Sequence, residues 1–143
     1  ARRLEVAIER PQQKFTVFRD FAHAPSKLKA TQAGVVGSFP ERKVTAVFEL
    51  HTFSSLNKEF LPQYASSMDF VHKAIVFYDP KVVEHKRLPA ISIQEVKDAF
   101  GREDLEVITS VDSLEKRLNA IPKENHCVLM MSSGRFGGAE IPK

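Results

Sequence analysis

The stretch Arg19-Asp20-Phe21-Ala22-His23-Ala24-Pro25-Ser26-Lys27-Leu28-Lys29 decides the fold. It follows Phe15-Thr16-Val17-Phe18, an apolar, β-branched and aromatic run that reads as a strand. It leads into about Ser26 to Val36, which reads as a helix with Pro25 at its start. An acid, an imidazole and a proline therefore share one strand-to-helix turn. In open α/β sheets that edge is where ligands bind. Two further strands end in polar residues. His51-Thr52 follows Val44-Thr45-Ala46-Val47-Phe48-Glu49-Leu50, and Ser132-Ser133-Gly134 follows Cys127-Val128-Leu129-Met130-Met131. Three such ends predict one composite site along one sheet edge.

Working outward, strand and helix patterns alternate. Leu4 to Glu9 alternates at period two, Pro11-Gln12-Gln13 interrupts it, and Phe15 to Arg19 follows closely enough to pair as a hairpin. A strand is expected at about Lys43 to Leu50. A helix is expected at about Leu56 to Met68, capped by Ser54 or Ser55, with Leu56, Phe60, Leu61 and Tyr64 at helical spacing. Lys73 to Tyr78 reads as a core strand ended by Asp79-Pro80, and Lys81 to Pro89 as a polar stretch. Ser92 with Glu95 is a capping-box pattern. A short strand at Glu106 to Thr109, a helix from Ser113 to Leu118 and a last strand from His126 to Met131 complete the reading. Crossovers of this length imply a Rossmann-like, three-layer α/β domain. Its sheet is mostly parallel, with an antiparallel hairpin at one edge and helices on both faces. Periodicity does not give the lateral order of the strands.

The 143 residues make one domain, long enough for a substantial core. The apolar runs are strand-length, short of the ~20 residues a membrane helix needs. No apolar leader segment is visible in the sequence given, and the single cysteine, Cys127, has no internal partner and reads as a small core residue; a reducing cytoplasm fits. The formal net charge is only +3, acids and bases are interspersed, and there is no tryptophan. No concentrated basic face speaks for nucleic acid.

Most common chemistries lack their residues. There is no Gly-x-x-x-x-Gly-Lys-Ser/Thr loop: Gly34-Val35-Val36-Gly37-Ser38 lacks the lysine, and Gly134 to Gly138 is not Gly-x-Gly-x-x-Gly. No histidine pair has metal-ligand spacing, and Ser133 lies outside a nucleophile elbow. Asp20 could accept hydrogen bonds from a ribose and His23 could donate to phosphate, or Asp20 caps the turn and His23 is a surface histidine. His51 is open to the same pair of readings. Ser132-Ser133-Gly134 could bind an anion through backbone N–H groups, or be a plain turn.

Four segments in order nonetheless resemble the C-terminal domain of the Mur ligases, the ATP-dependent amide-bond-forming enzymes of bacterial cell-wall synthesis. They are Arg2-Arg3-Leu4-Glu5-Val6, Asp20-Phe21-Ala22-His23-Ala24-Pro25, Val47-Phe48-Glu49-Leu50-His51, and Met130-Met131-Ser132-Ser133-Gly134-Arg135-Phe136-Gly137-Gly138. The ending Met-Ser-Ser-Gly-x-Phe-Gly-Gly resembles the murein peptide ligase branch, which attaches the recycled tripeptide L-alanyl-γ-D-glutamyl-meso-diaminopimelate to UDP-N-acetylmuramate. The branch that adds L-alanine usually has two histidines before the proline, where this chain has His23-Ala24, and arginines after the strand end that carries His51, where it has Thr52-Phe53-Ser54-Ser55. Losing those arginines removes bidentate carboxylate contacts.

The resemblance implies one C-terminal domain, residues 1–143, of a three-domain enzyme. An N-terminal domain would bind the UDP-sugar, and a central domain would carry the phosphate loop and most contacts to ATP and Mg2+. ATP would activate the sugar carboxylate as an acyl phosphate that the incoming amine attacks. Carried over by position, Arg3 approaches the ATP phosphates, Asp20 the ribose, and His23 the phosphates or the acceptor amine. His51, Ser132, Ser133 and Phe136 line the peptide pocket, and Arg135 pairs with a peptide carboxylate. No metal ligand is expected in this domain. The expected partners are the two substrates and the enzyme's other domains, not nucleic acid or membrane. The alternatives are the corresponding domain of the L-alanine-adding ligase, or a non-catalytic Rossmann-like nucleotide- or partner-binding module.

Overall fold

A strand whose residues are apolar on both sides must be covered on both faces. Here Lys43–Glu49, Lys73–Phe77 and His126–Met131 are almost entirely buried. A computed structural model of the chain describes residues 4–141 and shows how they are covered. Six strands form one sheet: β1 (Glu5–Arg10), β2 (Phe15–Asp20), β3 (Lys43–Glu49), β4 (Lys73–Phe77), β5 (Glu106–Ile108) and β6 (His126–Met131). Their lateral order is β1-β2-β6-β3-β4-β5. Only the β1–β2 pair is antiparallel; the other pairings are parallel. The expected hairpin edge and parallel core are therefore present. A register shift between Val6 and Ile8 bends the exposed edge strand.

Side-chain alternation divides the core into two layers. Phe18, Val44, Ala46, Phe48, Leu129 and Met131 face one side. They are covered by Leu28 and Val35 of α1 (Pro25–Ser38) and by Val96 and Phe100 of α3 (Ile93–Phe100). Phe15, Val17, Val47, Val128 and Met130 face the other side, under Leu114 and Leu118 of α4 (Val111–Asn119) and Phe136. The Ser92–Glu95 capping box forms as expected. Helix α4 begins earlier than its apolar pattern suggested, because the Ser110 hydroxyl accepts the Ser113 N–H and caps it.

Two expectations fail. The segment from Leu56 to Met68 is not an α-helix: it is a succession of turns with one short 3-10 helix, Leu61–Tyr64. Pro62 supplies no N–H for a helical ladder, and Ser66 adopts φ 64°, left-handed backbone that no right-handed helix passes through. The segment still buries Leu56, Leu61, Tyr64 and Met68. Ser54 and Ser55 are not its cap. Instead the Thr52 hydroxyl accepts the Ser55 N–H in a local turn. The polar stretch after β4 contains a short helix, α2 (Pro80–His85), because Asp79 accepts the Lys81 N–H at its start.

Parallel pairing brings the three polar strand ends together. Asp20 of β2 pairs with Met131 of β6, and Phe48 of β3 pairs with the same Met131. β6 thus lies between the other two, and the Ser132 N–H donates to the Asp20 carbonyl at 3.0 Å. The lateral order, unreadable from periodicity, puts the three motifs side by side.

Candidate functional site

The composite edge is split by the plane of the sheet. Asp20 follows Phe18 on the side covered by α1. There its carboxylate accepts the Thr31 hydroxyl of α1 at 2.7 Å. It does not cap α1: Ala24 occupies that position without a side-chain bond, and Pro25 needs no N–H partner. The exposed His23 imidazole places Nδ1 3.1 Å from the Phe21 carbonyl. A carbonyl only accepts, so that bond requires the proton on Nδ1 and leaves a lone pair on Nε2. The loop is fixed from beneath, where the buried Tyr64 hydroxyl donates to the His23 carbonyl. Burial pushes the Tyr64 phenol well above its usual range, so it remains a donor. No hydrogen bond joins Asp20 to His23: they share a loop, and their polar atoms have different partners.

On the α4 side, the same alternation carries Val47, Glu49 and His51 in β3 and its extension, and Val128, Met130 and Ser132 in β6. Glu49, only 4% exposed, is the centre of this half and was not among the expected site residues. Its Oε1 accepts the Ser132 hydroxyl at 2.6 Å and the Phe136 N–H at 2.8 Å. Ser132 Oγ in turn accepts the Gly134 N–H at 2.7 Å. Glu49 Oε2 lies 3.7 Å from Nδ1 of His51. These bonds wrap residues 132–136 around one buried carboxylate.

The turn is strained where it is held. Phe136 has φ 55°, left-handed backbone that costs a non-glycine residue about 1–3 kcal/mol. Its N–H bond to Glu49 and its ring, buried in the second core, hold it there. Gly137 follows at φ 63°, where an added Cβ would also lie 2.8 Å from Val111. Gly134 meets the face of His51: an added Cβ would lie 2.8–2.9 Å from three atoms of the ring. The backbone thus approaches the imidazole closer than any side chain permits.

Of the expected residues, His51, Ser132 and Phe136 come together around Glu49. Ser133 is half-buried in the same turn, and Arg135 is exposed beside it. Two of the backbone N–H groups expected to bind an anion are already used: Ser132 N–H donates to the Asp20 carbonyl and Gly134 N–H to Ser132 Oγ. Arg3 lies outside the described residues. Cys127 is buried, and burial pushes its thiol up, as suits a core residue. Glu49 escaped notice because an acid at the end of an apolar strand reads as the strand's polar exit. The available signal was its two-residue spacing from Val47 and His51, which puts it on an inward face.

Residues 2–134 match the family model described as Mur ligase, glutamate ligase domain. The chain belongs to the Mur ligase family. Solved Mur ligases share its fold. A domain from Haemophilus ducreyi, named as a UDP-N-acetylmuramate:L-alanyl-γ-D-glutamyl-meso-diaminopimelate ligase, is 25% identical. The match covers 96% of this chain and 93% of that one, with TM-score 0.64. A murein peptide ligase of Psychrobacter arcticus is 20% identical over 90% of this chain and 26% of its own, with TM-score 0.65. UDP-N-acetylmuramate-alanine ligase of Thermotoga maritima is 17% identical over 94% of this chain and 27% of its own, with TM-score 0.67. The Mur ligase domain seen here thus spans about a quarter of the length of those last two enzymes. Members of the family are ATP-dependent ligases of peptidoglycan synthesis. Among the described residues, no group of three or more His, Cys, Asp or Glu could hold a metal ion, and no helix is long and apolar enough to cross a membrane.

Proposed function

We propose that this chain is the C-terminal domain of a Mur ligase that joins UDP-N-acetylmuramate to the recycled tripeptide L-alanyl-γ-D-glutamyl-meso-diaminopimelate. The observation that carries the reading is the turn 132–136. It opens the Ser-Ser-Gly-Arg-Phe-Gly-Gly sequence of residues 132–138, the part most like the murein peptide ligase branch, and is bonded at Ser132 and Phe136 to a buried carboxylate. The fold does not rank the branches, since the alanine-adding enzyme is as similar in structure as the peptide ligases. The ranking rests on this motif and on Thr52-Phe53-Ser54-Ser55, which offer no guanidinium for the carboxylate of a single amino acid.

In this reading the domain contributes positioning and charge to a site it shares with the enzyme's other domains, and hinge closure brings it there. When bound, ATP activates the sugar carboxylate as an acyl phosphate. Asp20 suits a peripheral contact to the nucleotide: Thr31 holds Oδ2, and Oδ1 is the oxygen that would accept from ribose hydroxyls. Among the described residues of this domain no cluster of His, Cys, Asp or Glu fits Mg2+. His23 Nε2, left unprotonated by the Nδ1 bond to Phe21, suits the acceptor amine, from which it can take a proton, better than it suits phosphate. The half-buried Ser133 and the exposed Arg135 border the space above Glu49 and His51 where the peptide would lie.

The test is an assay of the full-length protein carrying this domain, with ATP, Mg2+ and UDP-N-acetylmuramate. Tripeptide and L-alanine are offered in parallel, and phosphate release and product mass are followed. Turnover with tripeptide and not with L-alanine is expected. Turnover with L-alanine alone would overturn the assignment.

A further inference from the structure

A buried carboxylate normally has a cation beside it, because isolated burial of charge is costly. Among the described residues, His51 is the one basic group within 4 Å of Glu49. Yet His51 Nδ1 is itself buried without a hydrogen-bond partner, at 3.7 Å from Glu49 Oε2. The two groups are adjacent and neither is satisfied by the other. The imidazole side chain as a whole is 40% exposed, and since Nδ1 is buried, the exposure belongs to the rest of the ring. The ring cannot slide toward the turn, because Gly134 already lies against its face.

We propose that Glu49 is the positioning residue of the acceptor site: it holds His51 with the proton on Nδ1, so that the lone pair of Nε2 faces the pocket and receives an ammonium group of the peptide. Glu49 Oε1 is saturated by the Ser132 hydroxyl and the Phe136 N–H. His51 Nδ1 lies 3.7 Å from Oε2, beyond hydrogen-bond length, and at that range the carboxylate charge favours an N–H over a lone pair facing it. A neutral imidazole beside it therefore carries its proton on Nδ1 and presents a lone pair at Nε2. Behind that lone pair lies the carboxylate charge, which attracts a cationic N–H donor and repels a second carboxylate. The tripeptide offers two such groups, the amine that attacks and the distal ammonium of diaminopimelate. The proposal rests on the ligase reading for the identity of the peptide. The state of Glu49 and His51 does not depend on it.

Two measurements test it. Nitrogen-15 NMR of this chain, above the ordinary imidazole range, reads the tautomer of His51 directly. The expected state is Nδ1–H in the native chain. In Glu49→Gln the amide oxygen must take the place of Oε1 to keep the Ser132 and Phe136 bonds. Its NH2 then faces His51, and the tautomer reverses to Nε2–H. An Nε2–H tautomer or a doubly protonated ring in the native chain would overturn the proposal, whether or not the variant folds. The second measurement is steady-state kinetics of the full-length ligase. Glu49→Gln is expected to raise the KM for tripeptide about tenfold, the size of one lost hydrogen bond to a charged group, with a smaller change in kcat. An analogue lacking the distal amino group separates the sources: the penalty disappears if the distal ammonium is bound and persists if the attacking amine is. An unchanged KM with a reversed tautomer would remove ammonium recognition from His51. The native tautomer as expected in an enzyme that does not use tripeptide would leave the Glu49–His51 arrangement standing and overturn the ligase reading instead.

Discussion

Replacing Gly134 with alanine should separate the geometry of the site from the stability of the fold. The backbone there is not in the left-handed region, so an alanine is sterically acceptable to its own peptide, and the whole effect comes from the added methyl. That carbon would lie 2.8 Å from Cδ2 and 2.9 Å from Cγ and Nε2 of His51. Ordinary carbon contacts begin near ~3.5 Å, so ring and turn must separate by roughly 0.7 Å. Three ring atoms at equal distance place the methyl over the ring face, where tilting one edge relieves nothing. Overpacking a rigid core costs about 1–3 kcal/mol, but this ring is half-exposed and can swing toward solvent. The cost to folding should therefore be at most about 1 kcal/mol, a fall in Tm of a few degrees for a domain of this size. His51 Nδ1 should leave Glu49, and the KM for tripeptide should rise about tenfold, as one hydrogen bond is lost. The assays are a thermal melt and NMR of His51 in this chain, with kinetics of the full-length enzyme. A loss of several kcal/mol with His51 unmoved would refute the reasoning, because the turn and not the ring would then have yielded.

Three other consequences follow from single contacts. His126 is buried with Nε2 2.7 Å from the Thr45 hydroxyl. Burial, followed by the positive charges of His72, Lys43 and Arg117, pushes its pKa down to about 4. Its folded pKa lies below the unfolded value, so its contribution is complete above about pH 6.5 and is lost as pH falls toward 4. The loss amounts to about 3 kcal/mol, and His126→Gln should flatten the acid limb of a stability–pH curve. Arg102 donates to the carbonyls of Met68, Val71 and His72 at 2.7–2.8 Å, fastening the turn-rich segment beside β4. Arg102→Ala should cost about 2–4 kcal/mol in denaturant titration, by orphaning those carbonyls. His23 is exposed and supports no packing, so His23→Ala should leave the Tm of this chain unchanged while lowering kcat of the full-length ligase. Unchanged kinetics would remove His23 from the mechanism.

How much of this was legible depended on what each residue had to satisfy. Strands such as Lys43–Glu49 and His126–Met131 announce themselves because burial on both faces demands uninterrupted apolar residues. The hairpin was readable from the break at Pro11-Gln12-Gln13. The Leu56–Met68 segment misleads because burial selects apolar residues whatever the backbone does. Leu56, Leu61 and Tyr64 enter the core from successive turns, and Pro62 was the residue that carried the correct information. Lateral order is set by which crossover packs on which face, and no local pattern records it. That order brings Asp20, Glu49 and Ser132 to neighbouring strand ends, and alternation then places Asp20 on one face and Glu49 and Ser132 on the other. The motif residues His51, Ser132 and Phe136 were found by resemblance. Glu49 needed the structure, because only there do three of those residues converge on its carboxylate.

The central claim is that the acceptor peptide lies against residues 132–136 and His51. Photo-cross-linking tests it most directly, using the full-length enzyme, ATP and a tripeptide carrying a photoreactive group, with the adducts mapped by mass spectrometry. The account predicts adducts on the peptide that contains Ser133, Arg135 and Phe136, reduced by excess unlabelled tripeptide. Competable adducts confined to the opposite end of the sheet, around Lys43, Lys73 and Asn125, would contradict it.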